Sequence, residues 1–291
     1  MKVLVLGERF PPQALDGLDV VDEPADDVAA ILTTPRAPVG AELIGRLPAL
    51  RIVATASVGF DHVDVEAAQA RGIVVRSVPD YCTEEVADHT LALLFALLRG
   101  IVALDRSVAA GGWDAKAAGP LRTLGGLRVG IVGHGRIGGA VSSRVRTLGA
   151  EVWANDVVES RCDGVRAAPL AELLRACDAV TLHVPLTAQT RGLVGARALA
   201  LMRPDALLVN TSRGAVVDLD AVVAALREGR LGGAALDVLP AEPPTVPPSA
   251  PNLIVTPHAA YYSEAAQQRA VAAAVAAVRE ALTVPGTATE T

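Results

Sequence analysis

Short β-branched and aliphatic runs alternate with longer stretches of helical periodicity along almost the whole chain, the pattern of an α/β protein with parallel sheets. In the first third, strands are predicted near residues 3–6, 30–33, 52–56 and 73–76. One long helical pattern follows, from about Thr83 to Ala110. Thr83 is its N-cap candidate, Glu84 and Glu85 sit in the first turn where the helix dipole favours acids, and Gly111-Gly112 ends it. Six further apolar runs read as strands, at 128–132, 151–154, 179–183, 206–209, 233–236 and 253–255, with helical stretches such as 218–228 between them. Six strands with crossover helices is the count of a doubly wound dinucleotide-binding domain. An Ala-rich helix over 263–282 closes the pattern, and the tail 283–291 is expected to fray.

Composition narrows the class. A length of 291 residues suggests about two domains. The mean hydropathy of +0.39 raises the question of a membrane span. The most apolar run, 91–98, is stopped by Arg99 and Gly100, well short of the ~20 residues a span needs, so it reads as a buried helix. A net charge of −6 gives no general attraction to nucleic acid or to an acidic membrane surface. The only lysines are Lys2 and Lys116, neither in a motif, which disfavours Schiff-base chemistry. Cys82, Cys162 and Cys177 fit neither a disulfide framework nor a zinc site. A reducing compartment is expected, and with a strand pattern rather than a signal peptide at the start, a cytoplasmic location.

The first chemical motif is Gly133-x-Gly135-x-x-Gly138, placed between a predicted strand and a helix opened by Arg136 and Ile137. Gly133 suits the tight turn, Gly135 the close approach of a pyrophosphate, and Gly138 the packing of helix on strand. The helix N-terminus offers free N–H groups to the anion, and Arg136 a charge. The next strand leads to Asp156, 18 residues past Gly138, near the position of a ribose-binding acid. A carboxylate there repels a 2′-phosphate, so the expected cofactor is NAD rather than NADP, although Arg161 lies five residues on.

Loops that leave the carboxyl ends of parallel strands gather on one edge. Three of them carry Arg213, Glu242 and His258. That set suits reduction of a 2-oxo acid. Arg213 can hold carboxylate and carbonyl oxygen in its planar fork, and His258 can serve as general acid, or as base in reverse. Glu242 would orient the imidazole and favour its charged form.

The stretches ASVGFDHVD, EEVADHTLALL, GIVGHGRIGGAV, LHVPLTAQTRGLV, NTSRGAVVD, ALDVLPAEP and TPHAA, in this order, resemble the D-isomer-specific 2-hydroxyacid dehydrogenase family over nearly the whole chain. The resemblance implies that Arg213, Glu242 and His258 are the catalytic residues. It implies that Ser57, Val58 and Gly59 hold the substrate carboxylate through backbone N–H groups. Thr90 and Asp237 would lie near the nicotinamide, Thr211 would join the cofactor-binding set, and His183 and Pro185 would line the adenine side. A Rossmann-type domain over 88–259 is expected, with a smaller flavodoxin-like substrate domain built from 1–87 and 260–291. No metal is implied. A homodimer formed largely through the cofactor domains is. The implied activity is an NAD-dependent interconversion of a small 2-oxo acid and its D-2-hydroxy acid. YCTEEVADHT and PHAAYYSEAA also resemble the branch containing the C-terminal-binding-protein corepressors, so an NAD(H)-sensing interaction protein is the alternative.

Overall fold

In the computed structural model, which describes residues 1–7 and 10–283, the early apolar runs form a five-stranded parallel sheet. Its strands are β1 (Lys2–Val5), β2 (Asp19–Val21), β3 (Val28–Thr33), β4 (Ile52–Thr55) and β5 (Val74–Arg76), in the order β2-β1-β3-β4-β5. This is the flavodoxin-like order. β3 and β4 are buried at every position, as a sheet covered on both faces requires. The sequence did not predict β2, a three-residue edge strand that begins with an exposed Asp and so lacks a continuous apolar run. The short helices α1 (Ala41–Gly45) and α2 (Val65–Ala70) cross between strands, and α2 is capped by Asp64, whose carboxylate accepts the Ala67 N–H at 2.9 Å.

The long helical pattern is two helices, α3 (Thr83–Leu98) and α4 (Ile101–Ala109). They are separated by Gly100 in the left-handed region at φ 59°, which ends the first helix. Thr83 is the first residue of α3 rather than its cap.

A seven-stranded parallel sheet follows. Its elements in chain order are β6 (Arg128–Val132), α5 (Arg136–Thr147), β7 (Glu151–Asn155), β8 (Arg166–Ala167), α6 (Leu170–Ala176) and β9 (Ala179–Leu182). Then come α7 (Ala196–Leu199), β10 (Leu207–Asn210), α8 (Leu219–Arg227), β11 (Gly233–Leu236) and β12 (Leu253–Val255). The strand order is β12-β11-β10-β9-β6-β7-β8, a doubly wound arrangement whose direction reverses between β6 and β9. The count is seven rather than six because of β8, two exposed residues at the sheet edge. No hydrophobic pattern marks it; Arg166 stacks on the Trp153 ring of β7, 3.7 Å from its centroid.

The register sets the site. Val132 is level with Asn155 and Leu182, Leu182 with Asn210, Asn210 with Leu236, and Leu236 with Val255. The carboxyl ends of six strands therefore stand in one row. The last element, α9 (Glu264–Thr283), packs on β3 and β4. The chain thus divides into two compact units, Met1–Cys82 with the segment from Tyr262 onward, and Thr83–Tyr261. α3 lies whole in the second unit, where the sequence reading placed the division at 87/88. The tail beyond Thr283 lies outside the described residues. Among the described residues no helix is long and apolar enough to cross a membrane.

Candidate active site

The glycine-rich turn leaves β6 at the point where the strand order reverses. Gly133 has φ 90°, and its N–H donates to the Asn155 carbonyl at 2.8 Å. A Cβ on Gly133 would stand 2.8 Å from the carbonyl carbon of His183, at the exit of β9. A Cβ on Gly138 would meet the Gly133 carbonyl oxygen at 2.0 Å, so both glycines are required by the fold itself. Gly135 differs: nothing lies within 4 Å of where its Cβ would be. The open space is at the N-cap of α5, where no side chain caps the first turn, and it fits the close approach of a pyrophosphate to a helix N-terminus. Arg136 follows, exposed, while Ile137 packs on the core.

Asp156 lies beside this turn. Its carboxylate accepts the N–H groups of His134 and Val158, each at 2.8 Å, and the Arg161 guanidinium is 3.6 Å away. Across the turn, the His183 ring meets the Thr181 hydroxyl at 3.0 Å. Burial, with a lesser effect from His134, pushes the His183 imidazole down to about 3 and keeps it neutral. Pro185 accepts the Thr190 hydroxyl on its carbonyl at 2.6 Å, fixing the loop after β9. Thr90 of α3 and Thr211 after β10 are buried with their hydroxyl oxygens 2.9 Å apart. The Thr90 hydroxyl donates to the Val86 carbonyl, so Thr211 donates to Thr90.

The three chemistry-bearing loops lie on the same edge. After β10, the buried Asn210 organises the turn: its carboxamide N–H₂ donates to the Arg213 carbonyl at 2.9 Å and its oxygen accepts the Ser212 N–H and hydroxyl. Arg213 stands in extended conformation, with its guanidinium donating to the Ser212 carbonyl at 2.9 Å. The next residue, Gly214, packs directly on the loop that follows β11. A Cβ there would fall 2.0 Å from the Leu239 carbonyl carbon and 2.5 Å from the Pro240 nitrogen. That contact sets the Arg213 loop against the Glu242 loop.

Glu242 and His258 form the central pair. Glu242 Oε1 accepts the Leu239 N–H at 2.9 Å, and Oε2 lies 2.7 Å from His258 Nδ1. Burial pushes the Glu242 carboxyl up, but the hydrogen bonds from His258 and Leu239 outweigh it and hold the group below its usual range. A charged Glu242 therefore accepts the Nδ1 proton, which leaves Nε2 as the ring nitrogen not engaged by Glu242. Tyr261 packs edge-on against the imidazole, with centroids 5.8 Å apart.

His258 itself is held at φ 53°, a left-handed conformation that costs a non-glycine residue about 1–3 kcal/mol. Asp237, at the exit of β11, over-determines it. The Asp237 carbonyl accepts the His258 N–H at 2.7 Å. The Asp237 carboxylate, 1% exposed, accepts the N–H groups of Ala259 and Ala260 at 2.8 and 2.9 Å and the Thr256 hydroxyl at 2.5 Å. His89 Nε2 stands 3.4 Å from it. Burial works against this charge, but the donors from His89, Thr256, Ala259 and Ala260 hold the carboxyl down at about 2. The carboxylate of Asp237, expected near the nicotinamide, is thus engaged in shaping the loop that carries His258.

The sign of that shift makes a prediction. A carboxyl depressed in the folded state stabilises above its unfolded value of ~3.9 and loses that contribution as pH falls towards 2, here about 2 kcal/mol. Between pH 5 and pH 2 the wild type should lose about 2 kcal/mol more unfolding free energy than Asp237→Asn, as read by urea titration.

Ser57, Val58 and Gly59 belong to the other unit. There the buried Ser57 hydroxyl donates to the Gly59 carbonyl and meets Thr55 Oγ1, both at 2.7 Å, and His62 Nε2 reaches Thr55 Oγ1 at 3.2 Å. His89, Thr256, Asn210 and Gly214 were not identified as functional from the sequence. The one local signal was a polar residue closing an otherwise apolar strand, as Asn210 closes β10. All three cysteines are buried; burial pushes the Cys177 thiol up to about 12 and the Cys162 thiol upward as well, which disfavours the thiolate form of both.

The chain is similar to several known proteins. Residues 91–260 match the family model described as the D-isomer specific 2-hydroxyacid dehydrogenase NAD binding domain. A glyoxylate reductase of Korarchaeum cryptofilum is 42% identical over 264 residues, covering 86% of this chain and 78% of that one. A glycerate dehydrogenase of Methylorubrum extorquens is 38% identical over 250 residues, covering 82% and 78%. Among solved structures, D-lactate dehydrogenase from Aquifex aeolicus, complexed with NAD and lactic acid, superposes with a TM-score of 0.88 at 29% identity, covering 96% of this chain and 95% of that one. An NADPH-dependent glyoxylate/hydroxypyruvate reductase from Sinorhizobium meliloti, in complex with NADP and malonate, gives 0.87 at 33%, covering 97% and 93%.

Proposed function

Because the chain belongs to the D-isomer-specific 2-hydroxyacid dehydrogenase family, we propose that it reduces a small 2-oxo acid to its D-2-hydroxy acid, with NADH as cofactor and His258 as the proton donor. It is an oxidoreductase of the nicotinamide-dependent class, and this reading prevails over that of a corepressor-like interaction protein. The observation that carries the mechanism is the 2.7 Å pair of Glu242 and His258 at the carboxyl edge of the large sheet.

The glycine turn, the α5 N-terminus, Asp156, His183 and Pro185 would hold the dinucleotide. When bound, its nicotinamide supplies the hydride that reduces the 2-carbon. The protein's own residues do the rest. Arg213 holds the substrate carboxylate and carbonyl oxygen in its planar fork and stabilises negative charge as it develops on that oxygen. Nε2 of His258 delivers the proton to the same atom, while Glu242 holds the ring by Nδ1 and compensates its positive charge. In the oxidative direction the neutral imidazole takes the hydroxyl proton instead. Ser57, Val58 and Gly59 retain the carboxylate-holding role that the resemblance implies.

NAD over NADP is supported by Asp156, whose carboxylate opposes a 2′-phosphate, while Arg161, 3.6 Å from it, offsets part of that charge. A homodimer through the larger unit is supported by α4, which buries no residue and exposes Ile101 and Val108, and by Trp113 just beyond it, 91% exposed. Sedimentation at the mass of a single chain would remove that assignment. Three buried thiols suit the cytoplasm. The direct test is a panel of glyoxylate, pyruvate, hydroxypyruvate, phenylpyruvate and bulkier 2-oxo acids, assayed with NADH and with NADPH. Turnover of a small member with NADH preferred is expected. No turnover of any member, with tight NADH binding retained, would reverse the functional reading, and a preference for NADPH would reverse the cofactor assignment.

A further inference from the structure

Beneath the catalytic loop lies a chain of donors that starts on a different element. Thr256 Oγ1 is 2.5 Å from Asp237 Oδ1, and a charged carboxylate takes the hydroxyl proton, so the Thr256 oxygen is left to accept. His89 Nε2 of α3 lies 3.2 Å from that oxygen and 3.4 Å from the carboxylate. His89 therefore carries a proton on Nε2 and directs it at both groups. It is the only side chain outside the loops after β11 and β12 that the described contacts place on this cluster, and it is 167 residues from Thr256 in sequence.

We infer that His89 is a positioning residue for the reaction: from α3 it fixes Thr256 and Asp237, and through them the left-handed backbone that aims His258. Three features converge on this role. The strained φ of 53° at His258 relaxes unless its neighbours hold it. The donors to Asp237 on either side of His258, the Thr256 hydroxyl and the Ala259 and Ala260 N–H groups, clamp the loop as a single turn around one carboxylate. His89 reaches that carboxylate from a separate element, with three quarters of its side chain buried and its Nε2 3.4 Å from Asp237 Oδ1. α3 also carries Thr90, whose hydroxyl meets Thr211 on the loop leading to Arg213. One helix thus braces the ends of two of the three catalytic loops through adjacent residues.

The inference rests on His258 being the proton donor, and its test separates the two. His89→Leu removes the donor; His89→Gln keeps an N–H near the Nε2 position; His89→Asn does not reach it. Expected for His89→Leu is a fall in kcat of about 10–100-fold with KM for NADH within about twofold, because the nucleotide contacts are untouched while the acid is misaimed. The low-field proton resonance of His258 Nδ1–H, bonded to Glu242, should broaden or shift in the same variant. His89→Gln should restore both, and His89→Asn should resemble His89→Leu, so the Gln and Asn pair decides the matter even if the Leu variant does not fold. Should the wild type reduce no 2-oxo acid, the functional reading fails while the resonance still reports on the positioning. Unchanged kcat and resonance in folded His89→Leu, or equal impairment of the Gln and Leu variants, would overturn the inference.

Discussion

His258→Gln should lower kcat by about 10²–10⁴-fold while leaving the dissociation constant for NADH within about twofold of wild type. The expectation follows from where the group stands. Its Nδ1 is committed to Glu242 at 2.7 Å, so Nε2 alone is positioned to exchange a proton with substrate. Glutamine can satisfy Glu242 with an amide N–H but cannot deliver a proton near neutral pH. The proposed nucleotide site is the glycine turn and Asp156, which none of the His258 hydrogen bonds reaches. Stopped-flow fluorescence gives the NADH affinity and steady-state kinetics the kcat. A variant that keeps its turnover would remove His258 from the mechanism, and one that loses NADH binding as well would make the effect structural.

Gly214→Ala should be nearly as damaging to catalysis, although residue 214 carries no chemistry. An added Cβ would fall 2.0 Å from the Leu239 carbonyl carbon and 2.1 Å from its oxygen. Both are backbone atoms at the mouth of a buried strand, so no flexible side chain can give way. The loops after β10 and β11 must part, which moves Arg213 away from Glu242 and disturbs the Leu239 N–H that holds the Glu242 carboxylate. A displacement of about 1 Å at a catalytic group costs on the order of 10²-fold in kcat/KM, and overpacking of this kind costs about 1–3 kcal/mol of stability. A melting curve and a kcat/KM measurement check the two effects together. Gly135→Ala is the informative contrast: its Cβ meets nothing within 4 Å. The unliganded fold should accept it, with any loss confined to dinucleotide affinity.

What could be read from the chain, and what could not, follows from the range of the interactions. β9, β10 and β11 are buried at every position, so each appears as a mainly apolar run, with Thr181 within β9 and Asn210 closing β10 as the polar members. β2 and β8 escaped because edge strands of two or three residues, partly wet, have no such run. The single helix expected from Thr83 to Ala110 ignored Gly100, whose left-handed conformation splits it. That Arg213, Glu242 and His258 share one edge was legible because parallel strands deliver their loops there, whatever the side chains do. The bracing of that edge was not. His89 and Thr256 meet only through the register of α3 against the sheet, and the packing of Gly214 on Leu239 depends on how two loops cross. The family resemblance implies a place near the nicotinamide for Asp237. Its carboxylate, with four donors around it and 1% exposed, shows why an acid is tolerated at the end of a buried strand.

The central claim is that this chain moves a hydride to the 2-carbon of a small 2-oxo acid and sets the D configuration there. Incubation with hydroxypyruvate and NADH deuterated at the transferring position of the nicotinamide, followed by chiral separation and mass analysis of the product, tests it most directly. The account predicts D-glycerate carrying one deuterium at C2. Undeuterated product, the L isomer, or no product from protein that binds NADH tightly would contradict it.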